Sequence, residues 1–546
     1  MPPSEFLITN ARVYPVNGGT DRPVPASALA VRDGRIAGVG SPAEASTAVP
    51  EARRIDAEGR TVVPGFVDAH AHLHELGLAL RRADLTDASS PDAVVEQLRA
   101  FVADHALPSD AWLRGHGWDQ TEWTPARLPS RGALDAAFPE RPVWLTRTDV
   151  HAGWANTAAL EATVGLDRLH EMSDPDGGHI HRDRTGIPTG VLIDAAMALV
   201  EDHIPPPSAA HQDRALSTAL RHTARRGITS LHDAGVGLSA LRRVRDFLEE
   251  DRFPLRLYAM IDGRGETLEH FCDRGPLHHP SGRLDVESVK FFADGALGSR
   301  GAALLDDYAD APGTRGFLLH DSDAFREHAR VAHECGFQVN THAIGDRANR
   351  QVLDAYEHVA RESTRPLRRP RIEHAQIVAP DDRPRFGRLG VIASVQPAFA
   401  PSDHDWAPAR LGPDRLTDAY AWRSLQEAGA RLAFGSDAPV EPSDPIRGFH
   451  AAVTRRDAGG APNGGWQPDE RLPRATALYA HTQGAAYAAF QEDEIGSISV
   501  GKRADFVVLS QDLMTVPSDR LLDTEVVATY LGGTPVHTTP DWPDAH

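Results

Sequence analysis

Two histidines one residue apart, His70 and His72, close a short apolar run, TVVPGFVDAHAHLH, over residues 61–74. On a strand alternate side chains share a face, so Asp68, His70 and His72 point the same way. Two imidazoles at i and i+2 on a strand end can grip one metal ion, a task that on a helix needs i and i+4. In a chain with 27 His the pair gains weight only if other donors join it. They do: Lys290 stands in VESVKFFADG, His342 in THAIGD, His374 in IEHAQ and Asp437 in FGSDAP. Singly, His342 and His374 read equally as core histidines, and Asp437 as a helix N-cap. Nitrogen and oxygen donors in this mixture suit Zn2+ or a similar divalent ion, iron and manganese included. A protonated Lys290 is repelled by a dication, whereas its CO2 adduct, a carbamate, is an anionic oxygen donor able to bridge two ions. Lys290 is one of only two lysines and has apolar neighbours, which favours the carbamate over a snorkelling side chain.

These donors converge only if the elements that carry them meet at one rim. After residue 215 short strand-like runs recur, each ending in polar residues and a Gly, Asp or Pro turn: 227–235, 255–263, 286–295, 337–346, 370–378, 390–397 and 431–440. Helical patterns such as DAFREHARVAHECG fill the gaps, and strands alternating with helices imply βαβ units and a parallel sheet. With the run at 62–72 the strands number eight, which closes a (β/α)8 TIM barrel whose active site lies at the strand C-termini. Every candidate donor falls there. Residues 77–215 are too many for one helix and its loops, so they form a large insertion after barrel strand 1. Residues 1–61 and 491–546 share an alternating, turn-rich texture (FLITNARVYPVN, GSISVGKRADFVVLS), and neither has the apolar surface to fold alone. They are expected to pair into one small discontinuous β-sandwich from both termini, leaving 62–490 as the barrel.

Composition narrows the function classes. At 546 residues with 41% hydrophobic and 25% charged side chains, the chain has the make-up of a multidomain globular enzyme. A formal net charge of −20 argues against nucleic-acid binding, which wants a basic face. MPPSEFLITN lacks the features of a secretory signal, and no apolar stretch approaches the roughly 18–20 residues that span a bilayer. Cys272 and Cys335 are too few for a disulfide scaffold, which fits a reducing cytoplasm. The partner expected is a small-molecule substrate, with neither nucleic acid nor membrane.

IDAEGRTVVPGFVDAHAHLH, VKFFADGALGSR, THAIGD, IEHAQ, FGSDAPV and GSISVGKRADFVVL together resemble the metal-dependent amidohydrolase superfamily. GWDQTEW, HAGWANTAAL and ADGALGSR resemble its branch containing N-substituted formamide deformylase. The likeness runs nearly end to end. It implies the barrel with its two-ended β-sandwich, and it carries the ligand roles onto His70, His72, Lys290, His342, His374 and Asp437. It further implies two Zn2+ ions bridged by carboxylated Lys290, and a homodimer is common among relatives.

The expected chemistry is hydrolysis of a C–N bond other than a peptide bond, in an amide, an N-formyl or N-acyl amine, or a cyclic amide. The ions would acidify water towards a pKa of about 7, with Asp437 as general base and then proton donor to the leaving nitrogen. Specificity is expected from the insertion, which holds five of the nine Trp. Trp118 and Trp154 would wall the pocket, or else form the insertion's own core. Asp119, His151 and Arg300 would supply polar contacts. The alternatives are a single-metal deaminase, an ester or ring hydrolase on the same fold, and, more remotely, an inactive binding protein, which should have lost ligands.

Overall fold

The computed structural model describes residues 5–17, 24–105, 107–108, 111–148, 151–175 and 177–543. The chain divides into two compact units, one made of the residues before Gly77 and after Thr218, the other of Gly77–Thr218.

The first unit is organised by an eight-stranded parallel sheet, β1 (Phe66–Ala71), β2 (Ile228–Val236), β3 (Arg256–Asp262), β4 (Leu284–Phe292), β5 (Gln338–Ala343), β6 (Arg371–His374), β7 (Ile392–Val395) and β8 (Arg431–Phe434). Neighbours in sequence are neighbours in the sheet, which curls into a nearly closed barrel. The two ends meet where Asp437 N–H donates to His70 O at 2.7 Å and His72 N–H to Ala438 O at 2.8 Å. Alternation decides what each strand buries. On β1 Val67 and Ala69 face outward onto Ile392, Ala433, Ala485, Ala486 and Ile495, leaving Asp68 and His70 for the interior.

That seam is tight. A Cβ on Gly435 would lie 2.4 Å from His70 N, against backbone that has nowhere to go. Gly435→Ala is therefore expected to cost about 1–3 kcal/mol by overpacking and to displace His70. Urea unfolding together with metal content measures both effects.

The run read as a single strand over 62–72 is cut in two. Thr61–Pro64 pairs antiparallel with Phe506–Leu509. Gly65 N–H then donates to Asp505 O at 2.9 Å, and only from Phe66 does the chain join the barrel. Pro64 has no N–H to carry a ladder onward, which suits it to the last place in its strand. Five strands, Arg12–Val13, Thr61–Pro64, Phe506–Leu509, Val526–Leu531 and Thr534–Thr538, form one small sheet. Glu5–Thr9, Ala28–Arg32, Arg35–Gly40 and Arg53–Asp56 form another. Phe6, Ile8, Leu29 and Val31 of the second share one apolar core with Val62, Phe506, Val508 and Tyr530 of the first. Arg256, at the start of β3, donates to both oxygens of Asp505 at 2.6 and 2.9 Å, a buried ion pair that fastens the barrel floor to this layer.

The second unit has a six-stranded sheet of Gly178–Arg182, Pro188–Asp194, Ala152–Ala155, Val143–Arg147, Leu113–Trp118 and Ala83–Asp84. Helix Pro91–His105 packs Val94, Val95 and Leu98 onto it. Of the two readings of Trp118 and Trp154, the packing favours the insertion's own core. Trp118 and Trp154 are fully buried in this unit's core with Trp123, their rings 6.1 Å apart, and Trp118 Nε1–H is spent on Leu145 O.

The cysteines also depart from expectation. Cys272, on helix Gly265–Arg274, and Cys335, capping helix Ser322–Glu334, form a disulfide with a Cα–Cα distance of 5.0 Å. Two cysteines do not make a scaffold, yet the helices that follow β3 and β4 bring this pair together. Their number thus says nothing about a reducing compartment. Among the described residues no helix is long and apolar enough to cross a membrane.

Candidate metal centre

Five of the eight barrel strands, β1, β4, β5, β6 and β8, bring the candidate donors to the C-terminal rim. His70 on β1 is completely buried and Lys290 on β4 is 1% exposed. His72 lies one residue beyond β1, His342 is on β5, His374 ends β6, and Asp437 follows β8. Lys290 Nζ is 3.2 Å from His70 Nε2, which is 3.4 Å from Asp437 Oδ1. His72 Nε2 lies 3.1 Å from the same oxygen. The ring of His374 is 5.0 Å from that of His70 and 4.6 Å from that of His342. All six sequence candidates thus form one cluster. Within it, donor atoms of His70, His374 and Asp437 lie within 4.8 Å of one another.

Backbone conformation helps to bring them in. Alternation along β6 turns Arg371 and Glu373 inward, and His374 next to them should face away. His374 has φ +75° and Ala375 φ +42°, and this left-handed turn carries the imidazole to the cluster. Asp437 is left-handed too, at φ +59°. Non-glycine residues held there cost about 1–3 kcal/mol each and cluster at functional sites.

The electrostatics favour neutral imidazoles. Burial first, and the charge of Lys290 next, hold His70 well below the usual histidine range and His342 at about 3. Burial and then the neighbouring imidazoles do the same to His374. His72 goes the other way: burial opposes its charge, but the hydrogen bond and charge of Asp437 outweigh it. Burial pulls Lys290 down to about 8, against the attraction of Glu373 and Asp437. Neutral imidazoles are the metal-binding form, and Nε2 of His342 is buried without a hydrogen-bond partner. Imidazoles and a carboxylate gathered in this way are a candidate site for a divalent ion.

The other expected contacts are engaged elsewhere. Asp119 caps the short helix Gln120–Glu122 and pairs with Arg147, while His151 pairs with Asp194, all within the insertion unit. Arg300 is in the barrel unit and donates twice to Asp310. Sequence reading missed several buried carboxylates. Asp294 accepts from Ala303, Ile344 and Gly345 N–H and so ties the loop after β4 to the loop after β5. Asp233 accepts from Leu73 N–H just past His72, and burial pushes it up to about 7. Glu373 contacts His70 directly. The signal for the first two was an Asp before Gly or Ala at a strand end, in FFADG and SLHDAG.

A family model described as the amidohydrolase family matches residues 53–537. The chain belongs to that family. It is 35% identical to the protein LONG AFTER FAR-RED 3 of Arabidopsis thaliana, over 97% of this chain and 91% of that one. It is 31% identical to the N-substituted formamide deformylase of Arthrobacter pascens, over 97% of each chain. A crystal structure of an uncharacterized metal-dependent hydrolase from Pyrococcus furiosus superposes with a TM-score of 0.76 at 29% identity, covering 94% of this chain and all of that one. The deformylase-like motifs GWDQTEW, HAGWANTAAL and ADGALGSR therefore sit within a likeness that spans nearly the whole sequence. The fold is that of a metal-dependent hydrolase, with a candidate metal-binding cluster at its rim.

Proposed function

We propose that this amidohydrolase cleaves a non-peptide C–N bond, in an N-formyl or N-acyl amine or a cyclic amide, at a centre of two zinc ions. His70, His72, His342, His374 and Asp437 would hold the ions, with carboxylated Lys290 between them. The observation that carries this is the buried lysine. Its Nζ lies against His70 at the middle of the cluster, where an ammonium repels a dication and a carbamate binds one.

Divalent ions at this place supply Lewis acidity, polarising a carbonyl oxygen and acidifying water. Asp437, held by His72 at 3.1 Å, accepts the proton of the attacking water. As the C–N bond breaks it returns that proton to the leaving nitrogen, so water ends as a carboxylic acid hydroxyl and an amine hydrogen. Phe292, 5.4 Å from His342, and Phe399, 6.1 Å from His374 and nearly parallel to it, flank the cluster with partly exposed apolar faces. They take the place expected of Trp118 and Trp154.

A second reading rests on the tight trio of His70, His374 and Asp437, which suffices for one ion. A single-metal deaminase, or a ring or ester hydrolase, would use it with Lys290 unmodified. Elemental analysis of protein purified without chelator, with a screen of amides and aminated rings, separates the two. About two ions per chain with amine release supports the first reading, and about one with ammonia release supports the second. No metal after addition of zinc and bicarbonate overturns both.

A further inference from the structure

Below the rim the barrel interior is not the apolar stack that a barrel of this kind usually holds. Ser230, His232, Ser288, Asn340, Arg371, Glu373 and Ser394 are all completely buried there. A buried ion pair is a poor source of stability, because the desolvation of two charges offsets their attraction. Arg371 and Glu373 therefore call for another reason to be present, and their contacts give it.

Glu373 Oε2 lies 2.6 Å from Nδ1 of His70. Arg371 Nε is 2.8 Å from Glu373 Oε1, and Nη2 donates to Oε2 at 3.1 Å. The same guanidinium donates to Ser394 Oγ on β7 at 2.9 Å and approaches His232 Nδ1 on β2 at 3.0 Å. It also donates to the carbonyl of Ala69, one residue before His70, at 2.6 Å. His70 is thus fixed twice: its ring through Glu373, and its backbone through Arg371.

We propose that Glu373 and Arg371 are positioning residues for His70, setting which ring nitrogen carries the proton and where the other one points. A carboxylate only accepts, so it takes the Nδ1 hydrogen and leaves the lone pair on Nε2. Nε2 is the atom that faces Lys290 and Asp437. Arg371 donates to Oε2 and places its charge 2.8 Å from Oε1, which resists rotation of Glu373 away from His70. Where such partners of metal-binding histidines are removed, affinity or activity falls about 10–100-fold. The inference deepens the proposed function and rests on its reading of the cluster as a metal centre.

The test compares wild type with Glu373→Gln, both loaded with Co2+. Glutamine offers one oxygen and an NH2, so either His70 or Arg371 meets a donor where it needs an acceptor. The expected results are an altered visible Co2+ spectrum and Co2+ loss to excess chelator about 10–100-fold faster. A role confined to stability would lower the melting temperature while leaving spectrum and release rate at wild-type values, and that outcome overturns the proposal. A second measurement, on metal-free wild type, needs no bound ion. Nitrogen-15 shifts of labelled histidine, with His70 assigned by the signals missing from His70→Gln, should show the proton on Nδ1. A proton on Nε2 overturns the proposal. Wild type that takes up no Co2+ contradicts the metal-centre reading instead, and the tautomer still decides this one.

Discussion

Asp437→Asn should lower kcat by about 10²–10⁴-fold, the range supplied by a positioned acid–base group, while the protein keeps its metal. Asparagine retains the oxygen that faces His70 and His72 but cannot take up a proton at neutral pH. The left-handed backbone at Asp437 favours the exchange, because Asn is among the residues that tolerate φ near +60°. Its N–H still donates to His70 O, so the barrel seam stays closed. Steady-state kinetics beside elemental analysis gives the answer. Retention of most of the activity removes Asp437 from the proton-transfer role, and loss of metal together with activity makes it chiefly a ligand.

The second large effect is expected at Lys290. Lys290→Ala deletes the donor at the centre of the cluster and leaves a buried gap among His70, Phe292 and Glu373. Metal should fall from about two ions per chain to about one. Turnover should drop by about 10³-fold, as expected when Lewis acidity worth several kcal/mol is withdrawn. Millimolar acetate or propionate should restore part of both, because a free carboxylate fits the gap and supplies the lost anionic oxygens. A full metal complement and wild-type turnover in Lys290→Ala would make the residue an ordinary buried amine. Burial lowers Lys290 to about 8, so a larger share of it than of an exposed lysine is the neutral amine that CO2 attacks.

Much of this site was legible in the sequence because a parallel barrel writes its active site at predictable places. Each strand is a short apolar run, its C-terminal end is polar, and Gly, Asp or Pro marks the turn. Position placed the six donors at the rim, although His374 reaches the cluster only through its left-handed backbone. Arg371 and Glu373 could not be placed in this way. On a four-residue strand such as RIEH the alternation is too short to show which side chains face inward. Their partners, Ala69, His232 and Ser394, lie on other strands and become neighbours only once the sheet curls. Trp118 and Trp154 stayed open between two readings for a related reason. Indoles suit pockets and cores alike, and only the packing of Trp118, Trp123 and Trp154 against Val94 and Leu98 separates the two. The Cys272–Cys335 bond joins residues 63 apart whose meeting depends on helix packing, which composition does not encode.

The strand pairing beneath the barrel has a consequence for how this chain is made. Thr61–Pro64 finds its partner in Phe506–Leu509, and Arg12 binds Asp512, 500 positions further on. A ribosome adding about 5–20 residues per second leaves the early strands without those partners for tens of seconds. Throughout that interval Phe6, Ile8 and Val62 lack Phe506, Val508 and Tyr530, with which they later share a core. Such open sheet edges are where nascent chains associate wrongly. The five-stranded sheet, and the core it shares with the other, are thus the last part of this unit to be completed and the part most in need of protection while translation proceeds. The barrel, whose strands pair with their immediate successors, can assemble progressively in the meantime.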